Sequence, residues 1–185
     1  MLRRLAPGYL AQLVDVTGES AYLSVRQGRE VLTIWTEHSP QVIQAVNWTG
    51  QRTPIWCTSA GRALLLDHSR EELAALLGEG ASDPKSFAGG IPSSQLFDLV
   101  ERDRSRGVVL ADEEFEPDLL GLAAPVRDFT SRIVAVVNVS GPSFRLRSEV
   151  EVLSTHLLET TNGLSEALGW QRPRDEMRID EVADL

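Results

Sequence analysis

The chain has 185 residues, 42% of them hydrophobic, which is enough for one domain with its own core. Its 27 acidic residues outnumber 18 basic ones for a formal net charge of -9, and no Lys/Arg-rich segment stands out, which argues against direct DNA binding by this chain. One cysteine cannot form an internal disulfide, no stretch is apolar enough to span a bilayer and no signal peptide is recognisable, so we expect a cytoplasmic protein.

The N-terminal part predicts one helix followed by three strands. Apolar residues recur at helical spacing over residues 5–16 and stop at Gly18, which is typical of an amphipathic helix. Alternating apolar residues on both sides of residues 27–29 predict a hairpin. A third strand is predicted around residues 42–48.

The middle of the chain predicts three helices. The first follows the small residues of PIWCTSAGRALL (54–65), and the second begins at a Ser69/Glu72 capping box and ends at Gly78. Residues 79–92 are rich in Gly, Ser and Pro, which predicts a surface loop that is either a lid or disordered. A third helix ends at Gly107, and we interpret its charged residues 101–104 as a solvated face.

The last part predicts three strands and a long helix. The strands lie within residues 108–115, 119–128 and 132–140, with a hairpin turn at 128–131, and the helix spans 148–170 before a polar tail. The order α-βββ-ααα-βββ-α, with hairpin-linked groups of strands, indicates an antiparallel sheet in an α+β domain.

The residue types of an enzyme or metal site are present but poorly arranged. Cys57 as a nucleophile needs a base, and His38, His68 and His156 lie in no local pattern that marks a catalytic pair. One cysteine and three scattered histidines also lack zinc-ligand spacing, although a site assembled in three dimensions stays open. We therefore interpret Cys57 as a small buried residue and expect neither catalysis nor a cofactor.

Two polar segments are candidates for binding. Asp112-Glu113-Glu114 lies on a predicted strand, where side chains alternate between the two faces, so at most Asp112 and Glu114 face the same way. These carboxylates are either a binding pair or part of a solvated strand edge. The run Thr58-Ser59-Ala60-Gly61 caps a helix and is predicted to leave the N–H groups of Ala60 and Gly61 free for an anion such as a carboxylate.

Two parts of the chain together resemble the effector-binding domain of the IclR family of bacterial transcription regulators. They are CTSAGRALL followed by SREELAALL (57–77), and residues 104–146, which contain ADEEF, AAPV and SGP. The family's motifs run in this order, as Gly-Lys/Arg-Ala-Leu-Leu after small residues, then Asp-Glu-Glu, Ala-Ala-Pro-Val and Ser-Gly-Pro. The resemblance covers nearly the whole chain and depends on the order of several motifs.

The resemblance implies a GAF-like or profilin-like α+β fold, with a sheet of about six antiparallel strands flanked by helices. It implies an effector-binding domain over residues 1–170, followed by a polar tail at 171–185. Members carry a winged helix-turn-helix DNA-binding domain before this region, and no segment of this sequence resembles such a domain. DNA contact is therefore expected only through that missing domain. Self-association to a dimer or tetramer, and no membrane partner, are also implied.

In such regulators a small organic acid is the effector. Carried onto this sequence, the implied binding residues are Thr58, Ser59, Ala60, Asp112, Gly121, Asn138 and Ser140, together with Trp56 and Cys57. Gly121 stands where cysteine is common, Asn138 where serine is, and Trp56 where histidine is. Glycine enlarges the space and asparagine adds a donor and an acceptor, which predicts an effector larger or differently polar than a two- or three-carbon acid.

Other interpretations stay open from the sequence. Trp56 and Cys57 also fit core positions, and Ser140 also fits a turn. A small hydrolase using Cys57 or Ser59 is the first alternative function. A GAF-type sensor attached to another signalling protein is the second.

Overall fold

The computed structural model describes residues 1–43, 47–77 and 93–172. Its strands are β1 (Ser20–Gln27), β2 (Glu30–Glu37), β3 (Arg52–Pro54), β4 (Val109–Asp112), β5 (Leu119–Arg127) and β6 (Ile133–Pro142). Its helices are α1 (Leu2–Thr17), α2 (Ser59–Ala63), α3 (Arg70–Leu77), α4 (Ser93–Arg106), α5 (Ser143–Leu146) and α6 (Val150–Ala167), with a 3-10 turn at Arg147–Glu149. Across these residues, no helix has the length and apolar character needed to cross a membrane.

The strands of the described residues form one six-stranded antiparallel sheet in the order β3-β2-β1-β6-β5-β4. β1 pairs with both β2 and β6, so the N-terminal hairpin joins the C-terminal strands at the centre of the sheet. Helices pack on both faces. The predicted α+β class, with a six-stranded antiparallel sheet flanked by helices, is confirmed.

Successive residues of the central strands enter two different cores. One core joins α1 and α6 to the sheet, where Leu10 and Leu157 pack in the same cluster as Val137. The other core joins α2, α3 and α4 to the opposite face, where Leu96 lies in one cluster with Val136. Val136 and Val137 are neighbours on β6, and side chains alternate along a strand, so both faces of the sheet are covered.

Three predicted boundary signals are confirmed. Helix α1 ends at Gly18, whose φ of 70° is the left-handed conformation that glycine adopts most readily. Gly28, with a φ of 62°, forms the turn between β1 and β2. At the start of α3, the Glu72 N–H donates to the Ser69 hydroxyl at 3.2 Å and the Ser69 N–H donates to the Glu72 carboxylate at 2.8 Å, which is the capping box.

The predicted third strand at 42–48 is wrong. Residues 42, 43, 47 and 48 belong to no strand, and residues 44–46 lie outside the described residues. The Ser39 hydroxyl donates to the Gly18 carbonyl at 2.5 Å, which directs the chain toward the end of α1, and Val42 is 98% exposed. The chain rejoins the sheet only at Arg52, so the third strand is the short β3.

The closing helix begins at Val150, two residues later than predicted, because the chain first forms α5 and the 3-10 turn. The predicted loop at 79–92, the predicted helix end at Gly78 and most of the predicted tail, from residue 173, lie outside the described residues.

Gly61 allows α2 to pack directly on the turn after β3. A Cβ atom at this position would overlap the carbonyl group of Ile55, which is backbone and cannot rotate away. Ile55 is itself fully buried. The glycine is therefore required for the close approach of α2 to this turn.

We expect Gly61→Ala to lower the free energy of unfolding by about 3 kcal/mol, because the methyl group forces α2 away from Ile55. Gly8→Ala is the matched control, since among the described residues nothing beyond the adjoining backbone of α1 lies within 4 Å of a Cβ at Gly8. It should raise the free energy of unfolding by about 0.5–1 kcal/mol. Urea titration measures both, and equal effects of the two substitutions would contradict the packing at Gly61.

Candidate functional site

A cavity lies on the face of the sheet that carries α2, and it encloses about 580 Å³ including its opening to solvent. Its walls come from all six strands, the start of α2 and the two connections β2–β3 and β4–β5. Six of the nine predicted site residues line it, namely Thr58, Ser59, Ala60, Gly121, Asn138 and Ser140. Their part in binding a ligand stays a prediction.

The start of α2 supplies one wall. The Gly61 N–H donates to the Thr58 hydroxyl at 3.0 Å and the Arg62 N–H donates to the Thr58 carbonyl at 3.0 Å. The prediction that the Gly61 N–H is free is therefore wrong, because the capping hydroxyl takes it. The N–H groups of Ser59 and Ala60 precede the first intrahelical hydrogen bond and belong to residues that line the cavity.

Gly121 serves a different purpose from the one predicted. A Cβ atom on Gly121 would lie 2.8 Å from the Ser59 hydroxyl oxygen and 3.9 Å from the Ser140 Cβ. The space that glycine leaves open is thus occupied in part by the Ser59 side chain, which is only 5% exposed. Gly121 brings α2 close to the sheet and adds less free volume than the sequence suggested.

Hydroxyl groups from the strands form the floor. Tyr22 is buried, and its hydroxyl hydrogen-bonds with the side chains of Ser20 and Ser140. Burial raises the pKa of the Tyr22 phenol, so this group is neutral at physiological pH. Ser24 and Thr33 share a hydrogen bond of 3.2 Å between their hydroxyl oxygens. These hydroxyl groups hold one another in place along β1, β2 and β6.

Nine residues of the cavity were not predicted. The polar ones are Tyr22, Ser24, Thr33 and Thr53, and the apolar ones are Val31, Trp48, Ala111, Phe115 and Leu119. A signal for part of this set exists in the sequence, since Tyr22/Ser24 and Asn138/Ser140 are polar pairs at a spacing of two on otherwise apolar strands. Such pairs project from the same face of a sheet. Trp48 and Phe115 lie in connections, where no periodicity indicates them.

No charged side chain of the described residues lines the cavity. Asp112 does not, because its neighbour Ala111 faces the cavity and alternation turns Asp112 outward, where Arg147 binds its two oxygens at 2.8 and 2.9 Å. Of the two interpretations left open for Asp112 and Glu114, a binding pair does not fit, because Asp112 is held by Arg147 and Glu114 by Arg62. β4 ends at Asp112 and Glu113 has a φ of 59°, so alternation stops there and Arg147 binds Glu113 as well.

Trp56 and Cys57 also lie outside the cavity lining. The Arg29 guanidinium lies 5.4 Å from the centre of the Trp56 ring. Cys57 is buried and its thiol donates to the Pro54 carbonyl at 3.5 Å. Burial raises the pKa of this thiol to about 11, so the thiolate needed for nucleophilic attack is scarce at neutral pH. Among the described residues, no His, Cys, Asp and Glu side chains are grouped closely enough to hold a metal ion.

Arg62, at the centre of α2, is completely buried and joins three parts of the structure. Its Nε donates to Asp103 on α4 at 3.1 Å, and its two terminal nitrogens donate to the Glu114 carboxylate and to the Leu110 carbonyl. The prediction of a solvated charged face at 101–104 is therefore wrong for Asp103, which is only 1% exposed. Arg62 links the helix that carries Ser59 to the connection that carries Phe115.

Comparison with known proteins identifies what this arrangement is similar to. The family model for the bacterial transcriptional regulator IclR C-terminal domain matches residues 1–166. The HTH-type transcriptional repressor AllR of Escherichia coli K12 is 26% identical over 166 residues, and the matched region is 89% of this chain but only 61% of AllR.

Solved structures agree with this match. The C-terminal domain of the E. coli transcriptional regulator KdgR has a TM-score of 0.79 at 24% identity, covering 91% of this chain and 99% of that one. The Agobacterium tumefaciens repressor BlcR has a TM-score of 0.82 at 28% identity, covering 93% of this chain and 68% of BlcR.

We expect Arg62→Met to lower the free energy of unfolding by about 3–5 kcal/mol, because it removes the buried cation that binds Glu114 and leaves the buried Asp103 carboxylate with Arg102 alone. Arg70→Met is the matched control, since Arg70 pairs with Asp98 at the surface, where both side chains are more than half exposed. It should change stability by about 1 kcal/mol or less. Urea titration compares the two, and similar losses would contradict a buried anchor at Arg62.

The Cys57 thiol should react slowly with iodoacetamide. Because its pKa is about 11, its thiolate fraction at pH 8 is about 100-fold below that of an ordinary cysteine, and alkylation should slow at least in proportion. Mass spectrometry of timed samples measures the rate, with urea-unfolded protein as the reference. Equal rates in the folded and unfolded protein would show that Cys57 is as accessible and as acidic as an ordinary cysteine, which would contradict its burial.

Proposed function

The chain belongs to the IclR family of bacterial transcriptional regulators, as an effector-binding domain, and on this premise we propose that its cavity binds a small organic acid and that binding changes the oligomer that carries the DNA-binding domains. The cavity on the α2 face is the observation that supports this most directly. Membership of a family of transcriptional regulators favours this function over a hydrolase or a sensor of another kind.

The chemistry of the cavity suits an acid held by neutral donors. Hydroxyl groups and the amide of Asn138 line it, and none of the described lining residues is an aspartate or glutamate that would repel an anion. Ser59 and Ala60, whose N–H groups precede the first intrahelical hydrogen bond of α2, also line the cavity. A carboxylate that accepts several hydrogen bonds from N–H and O–H donors is well stabilised without a cation. A cationic ligand would find no carboxylate partner among these residues.

DNA is reached through a further domain in this proposal. The relative AllR is an HTH-type repressor, and the chain spans about 61% of its length. The net charge of -9 does not suit contact with phosphates. Residues 1–170 would then act as the sensing domain, with a short tail from residue 171, in a protein that works in the cytoplasm.

The effector acts by shifting populations. A ligand can favour one arrangement of a dimer or tetramer only by binding it more tightly than the alternative. Arg62 offers a physical route, since it ties the α2 wall to α4 and to the β4–β5 connection. A ligand that moves Ser59 therefore acts on elements outside the cavity.

A thermal-shift screen of the chain against carboxylates of two to eight carbons tests the proposal, with the amide of each acid as its neutral control. An acid at 100 times its Kd should stabilise the fold by about 2.7 kcal/mol, a rise in Tm of roughly 5–10 °C. Sedimentation with and without that acid should show a changed association state. Failure of every acid to exceed its amide would disprove the acidic effector.

The Ser59→Leu variant tests whether the acid binds in this cavity. A leucine at this position fills the space between α2 and Gly121, so it should abolish the thermal stabilisation by the acid. Asn138→Leu preserves side-chain volume while removing the amide, so it should weaken the response even if Ser59→Leu folds poorly. Ser105→Leu is the control, on the exposed side of α4. Unchanged stabilisation in both cavity variants would show that the site lies elsewhere.

A further inference from the structure

Two aromatic rings close one side of the cavity. The Trp48 and Phe115 rings meet edge to face, with centroids 5.6 Å apart and an interplanar angle of 65°. Trp48 lies in the β2–β3 connection and Phe115 in the β4–β5 connection, and these belong to opposite ends of the strand order. Both rings line the cavity, so the pair spans the sheet above the hydroxyl-lined floor.

We infer that Trp48 and Phe115 are specificity-determining residues and that they select an effector with a planar, unsaturated or aromatic body beside its acid group. This rests on the proposed function, since it describes the same cavity. The hydroxyl groups of Tyr22, Ser24 and Thr33 on the floor are already hydrogen-bonded to protein partners. Trp48 and Phe115 are the largest apolar side chains of the lining. Polar groups of a ligand placed against these rings would find no hydrogen-bond partner there, whereas an apolar ring needs none.

The Trp48 ring is attached to a fixed turn. The Gln51 N–H donates to the Trp48 carbonyl at 2.8 Å, and the Gly50 N–H donates to the Thr33 carbonyl on β2 at 2.8 Å. The Thr49 hydroxyl donates to the Thr36 hydroxyl at 2.7 Å. These bonds fix the backbone of the turn against β2, so the indole is in place before a ligand enters.

The Phe115 ring is anchored through its neighbours. The Glu113 N–H donates to the Leu119 carbonyl at 2.8 Å, which closes the connection between β4 and β5. Glu114 is held by the buried Arg62. A preorganised ring pair discriminates between ligand shapes. To admit a non-planar ligand the rings would have to move, and the hydrogen bonds that hold each connection would be lost.

The discriminating probes are benzoate and cyclohexanecarboxylate, which share the acid group and the number of carbons but differ in planarity. A flat ring makes stacked or edge contacts with Trp48 and Phe115 that a puckered ring does not. Isothermal titration of the whole chain should therefore show benzoate binding about tenfold more tightly. Benzamide serves as the planar probe without an acid.

Leucine variants distinguish the effect of an aromatic ring from the effect of a large apolar side chain. In Trp48→Leu and Phe115→Leu the preference should fall to about twofold, while the affinity for cyclohexanecarboxylate changes by less than about threefold. Trp35→Leu and Phe129→Leu are matched controls, because these side chains lie outside the cavity lining and are 39% and 76% exposed. Both should keep the full preference.

The outcomes distinguish this inference from the proposed function. Equal binding of the two acids, or a preference that survives in both leucine variants, overturns the aromatic selection and leaves an acid sensor standing. Binding of benzamide alone, lost in the leucine variants, supports the aromatic selection and overturns the acidic effector. Binding of none of the three probes overturns the aromatic selection, and the carboxylate screen then decides the acidic effector separately.

Discussion

The buried guanidinium of Arg62 is the constraint on which the site depends. A charge without contact with water is tolerated only when every donor has a partner, and Arg62 finds them on α4, on β4 and in the β4–β5 connection. Because the guanidinium is rigid and planar, it fixes the positions of its three partners relative to one another. The wall that carries Ser59 and the wall that carries Phe115 are positioned by the same side chain.

Close packing by small residues is the second constraint. Gly61 lets α2 lie on the Ile55 carbonyl, and Gly121 lets the Ser59 hydroxyl lie against β5. Both glycines bring backbone or side chain nearer than a Cβ would allow. The small-residue run therefore has two uses, since it seats α2 on the sheet and leaves its first N–H groups at the cavity wall.

The neutrality of the cavity bears on how it would recognise an effector. Asp112 is turned outward by strand alternation and held by Arg147, and Cys57 is buried with its thiol protonated. The lining of the cavity consists of hydroxyl side chains, one amide and apolar side chains that include the rings of Trp48 and Phe115. Such a lining distinguishes ligands by hydrogen-bond geometry and by shape, while charge pairing contributes little.

Most of the elements, their order and the family were predictable from the sequence, whereas the position of β3 and the short helix α5 were not. Hydrophobic periodicity, glycine stops and the Ser69 capping box are local signals, and they located α1, the β1–β2 hairpin, α3 and the last three strands. Motif order also located the α2 start and the strand positions Gly121, Asn138 and Ser140. Three features became visible only in the folded chain: Asp103 is buried beside Arg62, Asp112 faces away from the cavity, and Trp48 meets Phe115. These facts depend on contacts between residues 41 to 67 positions apart in sequence or on where a strand ends, and no period along the chain records either.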